Sequence, residues 1–286
     1  MPDVINMNRI ATIGFFDGVH KGHRYLFKQL DKMGAARGLQ PLIITFEEHP
    51  RSVLQSDYVP QLLSSADERK ALLSAFGEVV MLPFEQVQPL TAAQFMAYLR
   101  DTYSVSVLLM GYDHRFGSDR LKHPQDYHRI GEQNGIEVLT TGEFVDGELH
   151  VSSTEIRAAL ESGNIAVAND LLGRPYSLRG NVVHGKGLGR TIGFPTANIQ
   201  PSDPHKIIPK PGVYAVSVRA YGLEWTPAML NIDTNATIEV HIPSFQGDLY
   251  GQAMEIKFMR FIRDEQQFAS LQDLKQKIME DIASIR

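Results

Sequence analysis

The densest chemistry in this chain lies in Gly14-Phe15-Phe16-Asp17-Gly18-Val19-His20-Lys21-Gly22-His23. The run before it, Arg9 to Gly14, reads as a buried strand ending in a glycine turn. The run after it, Arg24 to Leu30, reads as an amphipathic helix. A strand, a tight glycine turn and a helix start form a phosphate cradle, because N–H groups and the positive helix end face the turn. His20 and His23 add donors aimed at phosphate oxygens. His-x-Gly-His alone recurs by chance, whereas Asp-Gly-x-His-x-Gly-His at a strand-to-helix junction is specific. The bland alternative is a capped helix start with two surface histidines.

A second cluster runs from His184 to Asn198 and is rich in glycine and basic residues, with Gly185, Lys186, Gly187, Gly189, Thr191, Gly193, Pro195 and Thr196 as candidate phosphate contacts. Glycine lets backbone amides approach a phosphate closely. The Gly-Lys-Ser/Thr spacing of a Walker loop is absent, so a flexible loop is the competing reading. Thr196 and Asn198 alternate on an extended segment and face one side. Their oxygens suit Mg²⁺, a hard cation that keeps several waters. Glu239, beside an apolar strand, is either an exposed strand residue or a general base. Ser152-Ser153-Thr154-Glu155 opens a helix as a hydroxyl cap. With Arg157 at helical spacing from Ser153, the same hydroxyls form a second grip for phosphate.

These residues need elements to hold them. Up to Leu172 the chain alternates apolar runs with helical patterns. Strands are expected over 40–46, 79–84, 106–111 and 136–139, and helices over 66–76 and 92–102. Such alternation implies a parallel sheet covered on both faces, with ligands at the carboxyl ends of the strands. The loops Gly14–His23, Phe46–Pro50 and Gly111–Phe116 all fall there. After Gly173-Arg174-Pro175 the chain becomes rich in Gly, Val, Thr and Tyr. Short alternating stretches over 176–183, 212–220, 225–232, 237–242 and 254–261 predict an antiparallel barrel. A final helix carries the stripe Phe268, Leu271, Leu274, Ile278 and Ile282, expected to dock on the barrel. The expected domains are therefore 1–172 and 173–286.

Composition narrows the setting. The chain has 286 residues and 43% hydrophobic content, enough for substantial cores. A net charge of −5 argues against a general nucleic-acid surface. The absence of cysteine excludes disulfides, thiolate catalysis and zinc–thiolate sites. No secretory signal or membrane-spanning run is visible, so a soluble cytoplasmic protein without a membrane partner is expected.

With both clusters in view, the chain resembles the bacterial bifunctional riboflavin kinase/FAD synthetase family over nearly its whole length. Gly14 to His23 has the form of a nucleotidylyltransferase motif. Gly111-Tyr112-Asp113-His114-Arg115-Phe116-Gly117 and Val151 to Arg157 resemble that domain's later motifs. Leu172 to Tyr176, Gly193 to Asn198, Pro211-Gly212-Val213-Tyr214 and Gly247-Asp248-Leu249-Tyr250-Gly251 resemble the kinase module. The resemblance implies an α/β nucleotidylyltransferase domain with a Rossmann-like parallel sheet, followed by an antiparallel β-barrel riboflavin kinase domain with a C-terminal helix. It implies two reactions: ATP phosphorylates riboflavin to FMN in the barrel, and a second ATP adenylylates FMN to FAD in the first domain, releasing pyrophosphate.

The same resemblance assigns Gly14, Phe15, Asp17, Gly18, His20, His23, Arg115, Ser152, Ser153, Thr154 and Arg157 to ATP in the adenylyltransferase. Thr196 and Asn198 position Mg²⁺, Glu239 is the base for the ribityl hydroxyl, and Phe46, His49, Pro50, Asp113 and Arg263 contact flavin. Three departures stand out. Phe16 replaces a common asparagine. Ser118 to His123 replaces a basic run. Asn231-Ile232-Asp233-Thr234-Asn235-Ala236-Thr237 is short where relatives carry Gly-Thr-x-Pro-Thr and a longer loop. The shortening supports an alternative, a single-activity FAD synthetase whose barrel only binds flavin. A non-enzymatic flavin-binding module would not need metal ligands and a base together.

Overall fold

The computed structural model describes residues 8–146, 149–185, 187–243 and 245–285. The chain divides between Val151 and Ser152 into two compact units. The first opens with β1 (Arg9–Ile13), a 3-10 turn (Asp17–Val19), α1 (Lys21–Arg37), β2 (Gln40–Phe46), α2 (Pro50–Leu54) and α3 (Ala66–Leu73). It continues through β3 (Glu78–Leu82), α4 (Phe84–Val87), α5 (Ala92–Tyr103), β4 (Val105–Met110), α6 (Pro124–Gln133) and β5 (Glu137–Thr140). A small hairpin, β6 (Val145–Asp146) and β7 (Leu149–His150), ends it.

The five strands form a parallel sheet in the order β3-β2-β1-β4-β5. The chain runs outward from β1 on one side and then returns to its other side at β4, so the topological switch lies at β1. Strands with apolar residues on both faces, such as Leu42-Ile43-Ile44 and Val107-Leu108-Leu109, suit this arrangement, because both faces are covered. Ile10, Ile43 and Leu109 pack on one face with Leu26, Phe27 and Leu30 of α1. Ala11, Leu42 and Leu108 pack on the other with Phe95, Met96 and Leu99 of α5. Burial of each large apolar side chain of α1 contributes about 1.5–3 kcal/mol. The third helix stops at Leu73, short of the expected Phe76, where the Ser74 hydroxyl turns back onto the Lys70 carbonyl.

The second unit begins with α7 (Ser153–Glu161) and α8 (Ile165–Leu172). It continues through β8 (Tyr176–Val183), α9 (Leu188–Thr191), β9 (Ala197–Pro201), β10 (Gly212–Ala220), β11 (Leu223–Ile232), β12 (Ile238–His241), β13 (Ala253–Arg263) and α10 (Leu271–Ser284). The strands close a barrel in the order β10-β11-β12-β9-β8-β13. The sequence division at 172 assigns the α7–α8 pair to the first domain, whereas in the structure it belongs to the barrel unit. Asn169 shows why: its amide donates to the Phe258 carbonyl of β13 at 2.9 Å and accepts from the Tyr176 N–H of β8 at 2.7 Å.

The shortened segment after Asn231 closes as a tight turn between β11 and β12. The Asp233 carboxylate accepts the N–H groups of Asn235 and Thr237, each at 2.8 Å. Partial burial opposes ionisation of this carboxyl, but the hydrogen bonds from Thr237 and Asn235 outweigh it and hold its pKa below the usual range. The short loop therefore leaves the register of the two strands intact. No helix among the described residues is long and apolar enough to cross a membrane.

Candidate active sites

In the first unit the site starts from one glycine. Gly14 donates to the Ile44 carbonyl at 3.1 Å, and a Cβ at Gly14 would stand 2.6 Å from the Phe16 ring. Only glycine lets Phe16 fold back over the strand end. The turn that follows is strained: Phe16 and Val19 adopt φ of 54° and 42°. Asp17 holds it in place. Its buried carboxylate accepts from the Leu63 and Ser64 N–H groups at 3.0 Å, and Ser64 Oγ accepts from Gly18 N–H at 3.0 Å. Asp17, expected among the ATP contacts, thus shapes the cradle.

His20 caps α1. Its Nδ1 accepts the His23 N–H at 3.4 Å, which puts the ring proton on Nε2, a donor suited to an anion. The His20 and His23 rings stack with centroids 3.6 Å apart, and His23 meets the Phe16 ring edge-on. Two imidazoles are thereby fixed over a helix N-terminus, where backbone N–H groups and the helix dipole favour negative charge.

The neighbouring loops complete this sheet edge. Phe15 lies between the His49 ring, at 4.7 Å, and the Arg69 guanidinium, at 4.1 Å. Arg69 is fully buried and donates to the Phe46 and Glu47 carbonyls. It ties Phe15 to the Phe46–Pro50 loop, in which His49 caps α2 and Pro50 begins it. Sequence reasoning missed Arg69. Its four-residue spacing from the buried Leu73 was the available signal.

After β4, Asp113 and Arg115 are exposed, and Arg115 donates to the His114 carbonyl. The Tyr127 hydroxyl grips both the N–H and the carbonyl of Phe116. His114 Nε2 is buried without a polar partner. Burial pushes its pKa down to about 4, with Arg115 acting in the same direction and Asp113 against it. The altered Ser118–His123 segment serves as an anchor: Ser118 bonds to the Pro89 carbonyl, and Asp119 accepts the Ala92 N–H at the start of α5. Ser152 caps α7 by accepting the Glu155 N–H, with Ser153, Thr154 and Arg157 in the first turns of that helix.

In the barrel, one line of register gathers residues far apart in sequence. Val183 pairs with Asn198, Asn198 with Glu239, Glu239 with Asn231, Asn231 with Val213, and Val213 with Arg263. Residues opposite one another across strands share a face. A cavity of about 340 Å³ opens on that face, lined by Thr196, Asn231, Glu239, His241 and Arg263 among others, with Leu274 and Ile278 of α10 as part of its wall. Arg263 is bound there to the buried Asp281 of α10, by Nε at 2.9 Å and Nη2 at 2.8 Å. A second cavity of about 350 Å³ is lined by Arg190, Pro195, Thr196, Phe245, Asp248 and Tyr250. Thr196 borders both.

Of the glycine-rich loop, Pro195 and Thr196 line the second cavity, and Gly189 lines the first. A Cβ at Gly185 would overlap the Asn198 amide, and one at Gly189 would meet the Phe194 carbonyl and Thr196. These glycines let the loop lie against the two oxygen-bearing residues. Gly187 caps α9, Thr191 ends it, and Gly193 turns the chain with φ of 91°. Lys186 lies outside the described residues. Asn198 is buried and lines neither cavity. Asp248, Tyr250 and His241 were not read as site residues from sequence. The Gly247–Gly251 motif signalled the first two, and His241 stands two positions from Glu239.

Residues 3–155 match the FAD synthetase family, and residues 172–286 match the riboflavin kinase family. The chain is 37% identical over 288 residues to the bifunctional riboflavin kinase/FMN adenylyltransferase of Escherichia coli (strain K12), covering 97% of this chain and 91% of that protein. It is 38% identical to the protein of the same description from Pseudomonas fluorescens, covering 97% and 92%. A crystal structure described as a macrolide-efflux protein from Streptococcus pneumoniae superposes with a TM-score of 0.88 at 32% identity, covering 98% of this chain and 94% of that one. With a family model matched in each unit, and relatives matched over nearly the whole length, the chain belongs to the bacterial bifunctional riboflavin kinase/FMN adenylyltransferase family, whose two activities it carries.

Proposed function

We propose that riboflavin phosphorylation takes place where the two barrel cavities meet, with Thr196 at the junction. The observation that carries this reading is that Thr196 borders both cavities. The cavity walled by Phe194, Met229, Phe268, Leu274 and Ile278 suits an aromatic ring system, and it contains Glu239. The other cavity, beside the glycine-rich loop, suits the nucleotide. A phosphoryl group crossing from one to the other passes Thr196. Glu239 accepts the proton of the ribityl hydroxyl, which is a neutral nucleophile and gains from a base. Arg263, on the same register line, contacts the flavin.

Thr196 and Asn198 fit Mg²⁺. Among the described residues no group of three or more His, Asp or Glu could hold a metal. A hydroxyl, an amide oxygen and the nucleotide's own phosphates form a hard-oxygen set suited to this ion. Neutralisation of charge on the phosphoryl oxygens is the chemistry Mg²⁺ supplies when bound.

Adenylyl transfer we assign to the Gly14–His23 loop. The FMN phosphate is already anionic and attacks the α-phosphorus of ATP, so no protein nucleophile is needed. Alignment and stabilisation of the departing pyrophosphate are the protein's tasks. His20 and His23 serve the triphosphate. For Arg115, Ser152, Ser153, Thr154 and Arg157 as phosphate contacts, and for Phe46, His49, Pro50 and Asp113 as flavin contacts, the support is the family motif. The ATP dependence of both reactions supports a cytoplasmic setting.

Thr196→Val tests the junction, since it keeps the shape and removes the oxygen. Kinase activity should fall strongly and recover in part at high Mg²⁺, with adenylylation of supplied FMN unchanged. An unaltered Mg²⁺ dependence would remove Thr196 from the metal site.

A further inference from the structure

We infer that His241 is a positioning residue of the kinase site, holding the Thr196 turn in register with Glu239. The inference rests on the Thr196 reading above. His241 ends β12, two residues beyond Glu239, so their side chains share a face. Both line the same cavity as Thr196. The His241 ring is buried, and its Nδ1 lies 2.8 Å from the Pro195 carbonyl oxygen. A carbonyl oxygen only accepts, so the proton sits on Nδ1. The ring also meets Phe194 edge-on, with centroids 5.7 Å apart.

This bond matters because of what else holds the turn. Pro195 has no N–H with which to join a ladder, and Thr196 precedes the first residue of β9. On its loop side the turn is tied by the Phe194 N–H to the Gly189 carbonyl at 2.8 Å. On the side of the strand that carries Glu239, the ladder ends at the pair Ala197 with Val240, and His241 ties the turn just beyond it. One imidazole thus extends the hold of the β9–β12 ladder onto the turn that carries the oxygen at the cavity junction. Misplacement by about 1 Å costs on the order of a hundredfold in rate.

The geometry predicts which replacement works. In asparagine, as in histidine at Nδ1, the donor nitrogen is bonded to Cγ. In glutamine it lies one carbon further out. The experiment compares His241→Asn, His241→Gln and His241→Leu in the full chain, measuring riboflavin phosphorylation across a Mg²⁺ titration, with Thr196→Val alongside. Near-ultraviolet circular dichroism checks that each variant is folded. We expect His241→Asn to keep kcat within a few fold. His241→Gln and His241→Leu should lose on the order of a hundredfold and need more Mg²⁺ for half-maximal rate. Equal loss in Asn and Leu, or full activity in Gln, overturns the inference. If Thr196→Val shifts the Mg²⁺ dependence and neither His241→Gln nor His241→Leu does, the positioning role alone fails. If Thr196→Val does not shift it, the Thr196 reading fails and this inference with it.

Discussion

Asp281→Asn should uncouple the C-terminal helix from the kinase cavity. Asp281 is 3% exposed, and one of its carboxylate oxygens receives both Nε and Nη2 of Arg263, which is 15% exposed. Lys277 lies 3.9 Å from its other oxygen. Removing one partner of a buried ion pair typically costs about 3–5 kcal/mol, because the remaining charge is stranded. Arg263 keeps a bond to the Asp264 carbonyl and some solvent contact, which places the cost near the lower end, about 3 kcal/mol. At about 1.4 kcal/mol per tenfold, this is about a hundredfold in the equilibrium between docked and undocked α10. Since Leu274 and Ile278 of α10 wall the cavity, the KM for riboflavin should rise, by up to that factor, while kcat at saturation changes little. Steady-state phosphorylation and a thermal melt measure the two effects. The double variant Arg263→Met with Asp281→Leu should restore the melting temperature, as apolar replacement of buried pairs often does, while its KM stays raised for a different reason, the loss of the proposed contact of Arg263 with flavin. An unchanged KM in Asp281→Asn, or a double variant no more stable than the single, would refute the reasoning.

Further outcomes follow from other residues. His23→Ala should abolish FAD formation from FMN and leave riboflavin phosphorylation intact; parallel loss of both in a folded protein would show that the assignment to separate units is wrong. Glu239→Gln should slow the kinase by about a hundred- to ten-thousand-fold while adenylylation of added FMN persists, and unchanged turnover would exclude Glu239 as the base. Because burial holds His114 neutral to about pH 4, the unfolded chain takes up the proton first on acidification. Stability from this group is present above the unfolded pKa of about 6.5 and is lost as pH falls toward 4, about 2 kcal/mol at pH 5. Melting temperatures at pH 7 and 5 should therefore fall less in His114→Phe than in the unmutated protein, and equal falls would count against the buried neutral ring.

Much of the architecture was written locally. Continuous apolar runs gave the parallel strands, and Gly14 to His23 located the cradle, because both depend on neighbours within a few residues. What closure of the barrel brings together was not local. Asn198, Glu239, Asn231 and Arg263 share a register line only because β9 and β12 become neighbours in the order β10-β11-β12-β9-β8-β13. The final helix shows a subtler failure. Its expected docking stripe includes Leu271, which is 67% exposed, while the fully buried position is Asp281. The stripe faces a cavity as well as the barrel, so apolar periodicity marked a wall and overlooked the ion pair that fastens it.

The two sites differ in how their carboxylates are used, and the difference follows from the nucleophiles. At the cradle, the buried Asp17 carboxylate is engaged by the amides of Leu63 and Ser64 and holds the strained turn in shape. An FMN phosphate attacking there already carries its charge, so a carboxylate facing the substrates would repel them and deprotonate nothing useful. Around the triphosphate the proposed site needs donors, a role suited to His20, His23 and the start of α1. At the barrel the nucleophile is a neutral hydroxyl, and Glu239 lines the cavity that would receive it. On the proposed assignment, a carboxylate turned inward where charge is already present, and one lining the cavity where a proton must leave, is the arrangement these two reactions require of a single chain.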